Sequence, residues 1–518
     1  MRRFNVTGLC TPEEDYMVDI SGKIEQIKQL VDRRCYFTIN RARQYGKTTT
    51  LNMLKKALSG EYICIGLSFE GVGKTMFTDA HTFCRRFLWQ LDIAAKTGAD
   101  EKIEWQNDKI TDFDELNLHL SEICAGKKIV LMIDEVDKAG NYEVFLYFLA
   151  MLRDKFNARK SGAGATFHSV ILTGVYDIKN IKSKMTSEGK YKPGETEDKK
   201  EGSPWNIAVD FEVDMAFCPD EIMSMLKEYE TDYGKNIDIT EISTEIYKYT
   251  SGYPFLVSRI CQRIDENLNK NWTIEGVRDA VGMILEEDNT LFDDMFKNIR
   301  NHKKLREFLY EVLFIGKKIP FSADDEIINL GRMFGFLKNT DGKTKLSNKI
   351  FELRIYNYFI LQQIKEESGG GLEIAKQAVI QNGHFNMEMC LCKFAEHYAE
   401  LFSEKDIKFL ERHGRLLFLS YLKPFINGSG FYHVESEIND YRMDIIVDFG
   451  NEQFIIELKI WKGEKAEKKA YEQLLKYMET KKANKGYLLI FDFRLEKNKE
   501  RKSKWVDADG KKIFEIIV

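Results

Sequence analysis

Five consecutive apolar residues, Ile129-Val130-Leu131-Met132-Ile133, end directly in two acids, Asp134 and Glu135. A strand that reads as continuously apolar is buried on both faces, and this is the habit of parallel sheets covered by helices. Carboxylates at the carboxyl end of such a strand stand where open α/β sheets bind ligands, although acids there can also simply cap the next helix. Further apolar runs at 36–40, 62–69 and 169–174 alternate with helical patterns up to about residue 215. That alternation predicts βα units around a parallel sheet.

Two Gly-Lys-Thr triplets occur, Gly46-Lys47-Thr48 and Gly73-Lys74-Thr75. A phosphate-binding loop must run from a buried strand straight into a helix, so that the first amides and the helix dipole meet the anion. The first triplet satisfies this: the run 36–40 precedes it, and Leu51, Leu54 and Leu58 follow at helical spacing. After the second, Met76 and Phe77 intervene before a cap expected at Thr78, so its helix starts too late. In the first loop Lys47 is expected to reach the β and γ phosphates of ATP, and Thr48 to supply a hydroxyl to Mg²⁺. Arg41 stands where the motif's first glycine would be. Asp134 then reads as the Mg²⁺-binding acid of a Walker B strand and Glu135 as the group that polarises the attacking water. Thr173, near the end of the run 169–174, is the candidate polar residue beside the γ-phosphate.

The segment from Asn40 to Thr48, Asn-Arg-Ala-Arg-Gln-Tyr-Gly-Lys-Thr, resembles the Arg-Pro-Arg-Arg-Phe-Gly-Lys-Thr loop of the bacterial AAA-ATPase-like family, which also lacks the first glycine. Ala42, Gln44 and Tyr45 depart from it. The likeness extends to Ser68-Phe69-Glu70-Gly71 and places the second triplet outside the site. It implies that Arg43, Gly46, Lys47, Thr48 and Thr49 surround the nucleotide. Gly252-Tyr253-Pro254 is similar to the Gly-x-Pro turn of related signalling ATPases, which implies Gly252 and Pro254 beside the nucleotide in a helical lid; such a turn is as often a plain helix junction.

Near the other end, 443–447 and 454–460 are strand-like runs around Gly450-Asn451, a two-residue hairpin signal. If that pair is the turn, residues equidistant from it face each other, so Asp444 opposes Glu457 and Arg442 opposes Lys459. All four then share one face, and Met443, Ile445, Val447, Phe454, Ile456 and Leu458 form the core face. Two carboxylates about 5 Å apart repel unless a cation sits between them. Mg²⁺ or Mn²⁺ held by Asp444 and Glu457 is the economical answer, with Lys459 beside them to assist an attacking water. The alternative is a solvated face whose acids pair diagonally with Arg442 and Lys459.

Asp444 with Glu457-Leu458-Lys459 resembles the Asp...Glu-x-Lys signature of the PD-(D/E)XK nuclease superfamily, with Met443 in place of the proline. Gln473-x-x-x-Tyr477 on the following helix resembles a motif that some of these nucleases add to the site, and Glu411 matches the acid of their first helix. The resemblance implies a small α/β restriction-endonuclease-like domain with a mixed sheet. Nucleic acid is its implied substrate, DNA before RNA, with basic clusters at 481–485 and 497–504 as candidate backbone contacts.

The chain is 518 residues long, more than one core normally serves. The expectation is an α/β multidomain protein: a P-loop parallel-sheet ATPase core (1–215), a helical lid (216–295), a winged-helix-like module (296–368), a helical linker (369–400) and the nuclease-like domain (401–518). Residues 187–203 read as a mobile loop and 369–371 as a flexible break. No apolar run approaches the roughly 20 residues of a membrane span, and no secretory signal follows Met1-Arg2-Arg3. Cytoplasmic placement is the expectation. The nine cysteines form no Cys-x-x-Cys pair, which argues against zinc or disulfide scaffolds. A net charge of -5 leaves any nucleic-acid contact to local patches. ATPases of this broad class also assemble, so a homo-oligomer is allowed for. The competing expectation is a signalling ATPase whose last domain binds nucleic acid or a protein without cutting.

Overall fold

The computed structural model describes residues 2–96, 103–106, 109–140, 142–175, 205–234, 237–315, 319–367, 379–381, 384–401, 411–426, 430–433, 445–450, 452–461, 463–492 and 503–518. The loop expected at 187–203, the break at 369–371, the residues Arg442, Met443 and Asp444, and the basic stretch 497–502 lie outside the described residues. The chain divides into two compact units, Met1–Asn301 with Phe321–Lys349, and His302–Pro320 with Ile350–Val518.

The first unit is built on a parallel sheet of β1 (Tyr36–Asn40), β2 (Ile63–Ser68), β3 (Ile129–Asp134) and β4 (Ser169–Gly174), in the order β1-β4-β3-β2. Every residue of β3 and β4 is buried, as continuous apolar strands require. Helices α1 (Ser21–Asp32), α2 (Lys47–Leu58), α3 (Ala80–Lys96), α4 (Phe113–Cys124) and α5 (Glu143–Lys160) lie between and around these strands. Phe83, Phe87, Phe145 and Phe148 from α3 and α5 pack with Ile65, Leu131 and Ile133 of the sheet into one core. The start of α3 corrects one expectation: the amide of Thr82 is capped by Asp79 Oδ1 at 2.8 Å, and Thr78 is not the cap.

Five further helices follow in the same unit: α6 (Pro219–Tyr233), α7 (Ile239–Thr250), α8 (Pro254–Asn267), α9 (Ile274–Glu286) and α10 (Thr290–Asn301). Their starts carry local signals: Pro219 at the first turn of α6, Asp238 capping Glu241 and Thr273 capping Gly276. After α11 (Lys303–Tyr310) in the second unit, the chain returns to the first for α12 (Glu326–Met333) and the hairpin β5 (Leu337–Thr340) and β6 (Lys343–Leu346). Asp341 and Gly342 both have positive φ, 51° and 74°, which is the turn geometry that short hairpins favour.

The second unit holds α13 (Lys349–Glu367), the short ladder β7 (Ile380–Gln381) with β8 (His384–Phe385), α14 (Met387–Leu401) and α15 (Glu411–Ile426). Its sheet comprises β9 (Gly430–His433), β10 (Ile445–Phe449), β11 (Glu452–Ile460), β12 (Lys485–Phe491), β13 (Ser503–Ala508) and β14 (Lys511–Ile517), ordered β13-β14-β12-β11-β10-β9. It is mixed: β11, β12 and β14 are mutually parallel, and β9, β10 and β13 join antiparallel. Helix α16 (Glu464–Thr480) links β11 to β12.

The β10–β11 register pairs Ile445 with Ile456 and Phe449 with Glu452, symmetric about the Gly450–Asn451 bond. The facing pattern, however, departs from the expectation of one core face and one charged face. Ile446 and Ile455, on the face assigned to the charges, are fully buried against Ala470, Leu474, Tyr477 and Met478 of α16. Ile445, Ile456 and Leu458 on the opposite face are fully buried too. The hairpin is central, and both faces of its described part are buried, Glu457 included.

Candidate functional sites

In the first unit Gly46 sits at the N-cap of α2 with φ 73°, a left-handed conformation that glycine adopts without strain. A Cβ placed there would meet nothing within 4 Å, so the requirement is the backbone angle. The turn feeds α2 from β1, and its first-turn amides have no intrahelical acceptor by geometry. Lys47 is 6% exposed, and its ammonium donates to the carbonyls of Arg41 (3.0 Å) and Ala42 (2.9 Å). Burial holds its pKa down, opposed by Glu135, Asp137 and Asp134. The ammonium is thus fixed across the loop with three acids nearby.

Asp134 joins three elements. Thr48 Oγ1 donates to Asp134 Oδ2 at 2.6 Å, Thr173 Oγ1 donates to Oδ1, and the amide of Glu135 also donates to Oδ1 at 2.9 Å. The sequence candidates Thr48, Asp134 and Thr173 therefore meet at the carboxyl edge of β3 and β4, next to the start of α2. Glu135 adopts φ 54°, an uncommon angle for a side chain of its size, and burial pushes its carboxyl up, with Lys47 opposing. Thr49 is turned elsewhere: its Oγ1 accepts from the amide of Cys10 at 3.4 Å. The Thr48 hydroxyl and Asp134 carboxylate are hard oxygen donors already in contact, beside a lysine and a helix start; this donor set fits a Mg²⁺-nucleotide.

Asp137 belongs to the same edge and was missed in the sequence. Its Oδ2 accepts from the amide of Val175 at 2.5 Å, and an added Cβ on Gly174 would come within 2.8 Å of its Oδ1. A side chain at 174 would therefore make the Asp137 carboxylate shift. The available signal was its place three residues after Asp134.

The turn at Gly252-Tyr253-Pro254 meets the loop through its middle residue. The carbonyl of Gly252 accepts from the amide of Phe217 at 2.8 Å, and Pro254 begins α8. The Tyr253 hydroxyl donates to the carbonyl of Arg43, and its ring packs edge-on against Tyr45 with centroids 4.7 Å apart. Arg43 Nη1 pairs with Asp294 of α10 at 2.5 Å. Gly252 and Pro254 shape the turn, while Tyr253 makes the contact. The second triplet looks different: Gly73 has φ -66°, Lys74 and Thr75 are exposed, and a 3₁₀ turn follows instead of an α-helix.

In the second unit Glu457 is fully buried on β11, and the Lys459 ammonium pairs with its Oε1 at 2.6 Å. Gln473 and Tyr477 lie on α16, the helix covering that face, with Gln473 half-buried and Tyr477 buried. Glu411 begins the described part of α15. Asp444 lies outside the described residues. In the row of paired residues that crosses the sheet from Glu457 through Leu488 stands another buried acid, Glu515, which accepts from Tyr471 at 2.5 Å and pairs with Lys504 at 3.0 Å. Among the described residues no group of three or more His, Cys, Asp or Glu side chains is close enough to hold a metal ion. Here the described donor set is one buried carboxylate with its lysine. No described helix is long and apolar enough to cross a membrane.

Residues 16–357 match the family model described as an AAA-like domain, and residues 430–502 match that of the PD-(D/E)XK nuclease superfamily. None of the curated proteins matches. Among solved structures, a Walker-type ATPase of Pyrococcus abyssi is similar at 11% identity and a TM-score of 0.46, over 68% of this chain and 99% of that one. The ORC2 protein of Aeropyrum pernix in its ADPNP–ADP complexes is similar at 10% identity and a TM-score of 0.36, over 70% and 98% of the two chains. With an AAA-like match over more than half its length, a parallel-sheet core and a separate mixed sheet, this chain belongs to the AAA-like domain family and carries a PD-(D/E)XK nuclease superfamily domain.

Proposed function

We propose that this protein binds and hydrolyses ATP with Mg²⁺ in its first unit, and that the nucleotide state controls metal-dependent cleavage of nucleic acid by its PD-(D/E)XK domain. The observation that carries the first half is the meeting of Thr48, Thr173 and the Glu135 amide on the Asp134 carboxylate, at the start of α2. Thr48 and Asp134 are the residues that would hold Mg²⁺, and the ion would offset the negative charge that builds on the phosphates. Lys47 binds phosphate from its perch on two carbonyls. Glu135 accepts the proton of the attacking water, a role that its burial-raised pKa favours. Thr173 orients Asp134, and residues 216–295 act as the lid.

For the second half, support comes from the nuclease-superfamily match and from the buried Glu457–Lys459 pair. A carboxylate taken out of water is costly without a cation, and Lys459 meets that need in this structure. Asp444 and Glu457 would hold the divalent ion, which supplies Lewis acidity toward a phosphodiester. Lys459 steadies the charge that develops there, and Gln473 and Tyr477 border the site from α16. DNA is the favoured substrate.

The test is cleavage of single- and double-stranded DNA and RNA by the full chain with Mg²⁺ or Mn²⁺. Cleavage that disappears in Glu457→Ala, with the thermal midpoint within a few degrees of the unaltered protein, is the expected result. Cleavage that survives Glu457→Ala would remove this site from the reading.

A further inference from the structure

Arg43 is held at two points by the helices that follow the ATPase sheet. Its carbonyl accepts from the buried Tyr253 hydroxyl, and its guanidinium pairs with Asp294 at 2.5 Å. The next residue, Gln44, has φ 55° and donates from Nε2 to Thr290 Oγ1 at 3.1 Å. Thr290 and Asp294 are four residues apart on α10 and so share one face. That face meets consecutive residues of the loop that leads into Lys47.

The start of α10 is firmly mounted. Asn289 caps the amide of Phe292 at 2.9 Å, and its own side chain donates to Glu287 at 2.7 Å. Glu287 is in turn held by Arg259 at 2.8 Å and Arg263 at 2.6 Å. Asp294 therefore presents its carboxylate from a rigid support. The Arg43 side chain, in contrast, is 63% exposed and long enough to choose another anion.

From this geometry we infer that Asp294 competes with nucleotide phosphate for Arg43, so that α10 is latched to the loop when phosphate is absent and released when it is bound. The inference rests on the ATP-binding reading above. The Asp294 carboxylate offsets the charge of the guanidinium that a phosphate would use, and a polyphosphate carries more charge than a single carboxylate. Coupling of this kind is reciprocal: what weakens the latch must tighten phosphate binding by the same factor. The pair is partly solvent-exposed, so the factor is modest, about threefold.

The experiment is calorimetric titration of ATP, ADP and adenosine into the full chain and into Asp294→Asn, Arg43→Met and the double variant. The expected result is about threefold tighter ATP and ADP binding in Asp294→Asn with adenosine unchanged. Arg43→Met should weaken ATP, and adding Asp294→Asn to it should change nothing further. Unchanged or weaker ATP binding in Asp294→Asn overturns the latch, as does a thermal midpoint that falls while affinity stays the same. Equal tightening on the Arg43→Met background also overturns it, because Asp294 would then act on phosphate through space. Lys47→Ala separates the two levels: wild-type ATP affinity in that variant sinks the site and the latch together, whereas lost affinity with an inert Asp294→Asn sinks the latch alone.

Discussion

The chain contains the same three residues twice, and the two copies fold differently. Gly46-Lys47-Thr48 leaves β1, turns through a left-handed glycine and enters α2 with its lysine buried on carbonyls and its threonine on Asp134. Gly73-Lys74-Thr75 follows the edge strand β2, keeps an extended glycine and leads into a 3₁₀ turn with its lysine exposed. The tripeptide alone does not set the local structure. What differs is the strand before it, the helix after it and the acids that the neighbouring strands bring to the same edge.

That contrast can be tested in steps. The largest expected effect is on turnover: Glu135→Gln should lower ATP hydrolysis by about a hundredfold or more while ATP still binds, because proton acceptance is lost and Lys47 remains. Steady-state phosphate release beside a binding titration checks it. Next, Lys47→Ala should weaken ATP by about a hundredfold, the scale of a lost charged hydrogen bond, and Lys74→Ala should stay within about twofold. Equal losses in both would erase the distinction between the triplets. Third, Gly46→Ala should cost about 1–2 kcal/mol in unfolding free energy from its positive φ, and Gly73→Ala close to nothing. Denaturant titration of both variants measures the difference.

The smallest effect separates burial from function. Lys155 on α5 is also a buried lysine, held by the Asn117 carbonyl at 2.7 Å and Ser121 Oγ at 2.7 Å, but away from the acids around Asp134. Burial pushes its pKa down to about 8. Above that value the folded chain has released the proton while the unfolded chain keeps it up to about pH 10.4, so stability should rise with pH in this window. Between pH 8 and 9 the gain from Lys155 is about 1 kcal/mol. Lys155→Met should flatten that rise and leave ATP affinity alone, and a lowered affinity would mean that burial, not position, governs Lys47 as well.

Much of the first unit was legible because its signals are local or strictly periodic. The runs at 36–40, 129–133 and 169–174 became β1, β3 and β4 within a residue, and helical spacing after Thr48 became α2. The β10–β11 register followed from Gly450-Asn451, since a two-residue turn fixes pairing outward from itself. The facing pattern did not follow. Ile446 and Ile455 carried the signal: apolar residues of both parities mark a strand covered on both sides. Tyr253 and Asp294 were illegible for another reason. Their roles depend on helices and loops far apart in sequence coming together, and neither spacing nor composition encodes that meeting. The hydroxyl of Tyr253 reaches a carbonyl 210 residues away.

The claim that joins the two halves of the molecule is that nucleotide governs cleavage, and it is tested most directly by the ratio of DNA cleavage rates with and without ATP. The unaltered chain should show a ratio clearly different from one, in Mg²⁺, while Lys47→Ala should hold it at one and cleave at the nucleotide-free rate. A ratio in Lys47→Ala that equals that of the unaltered chain would contradict the account.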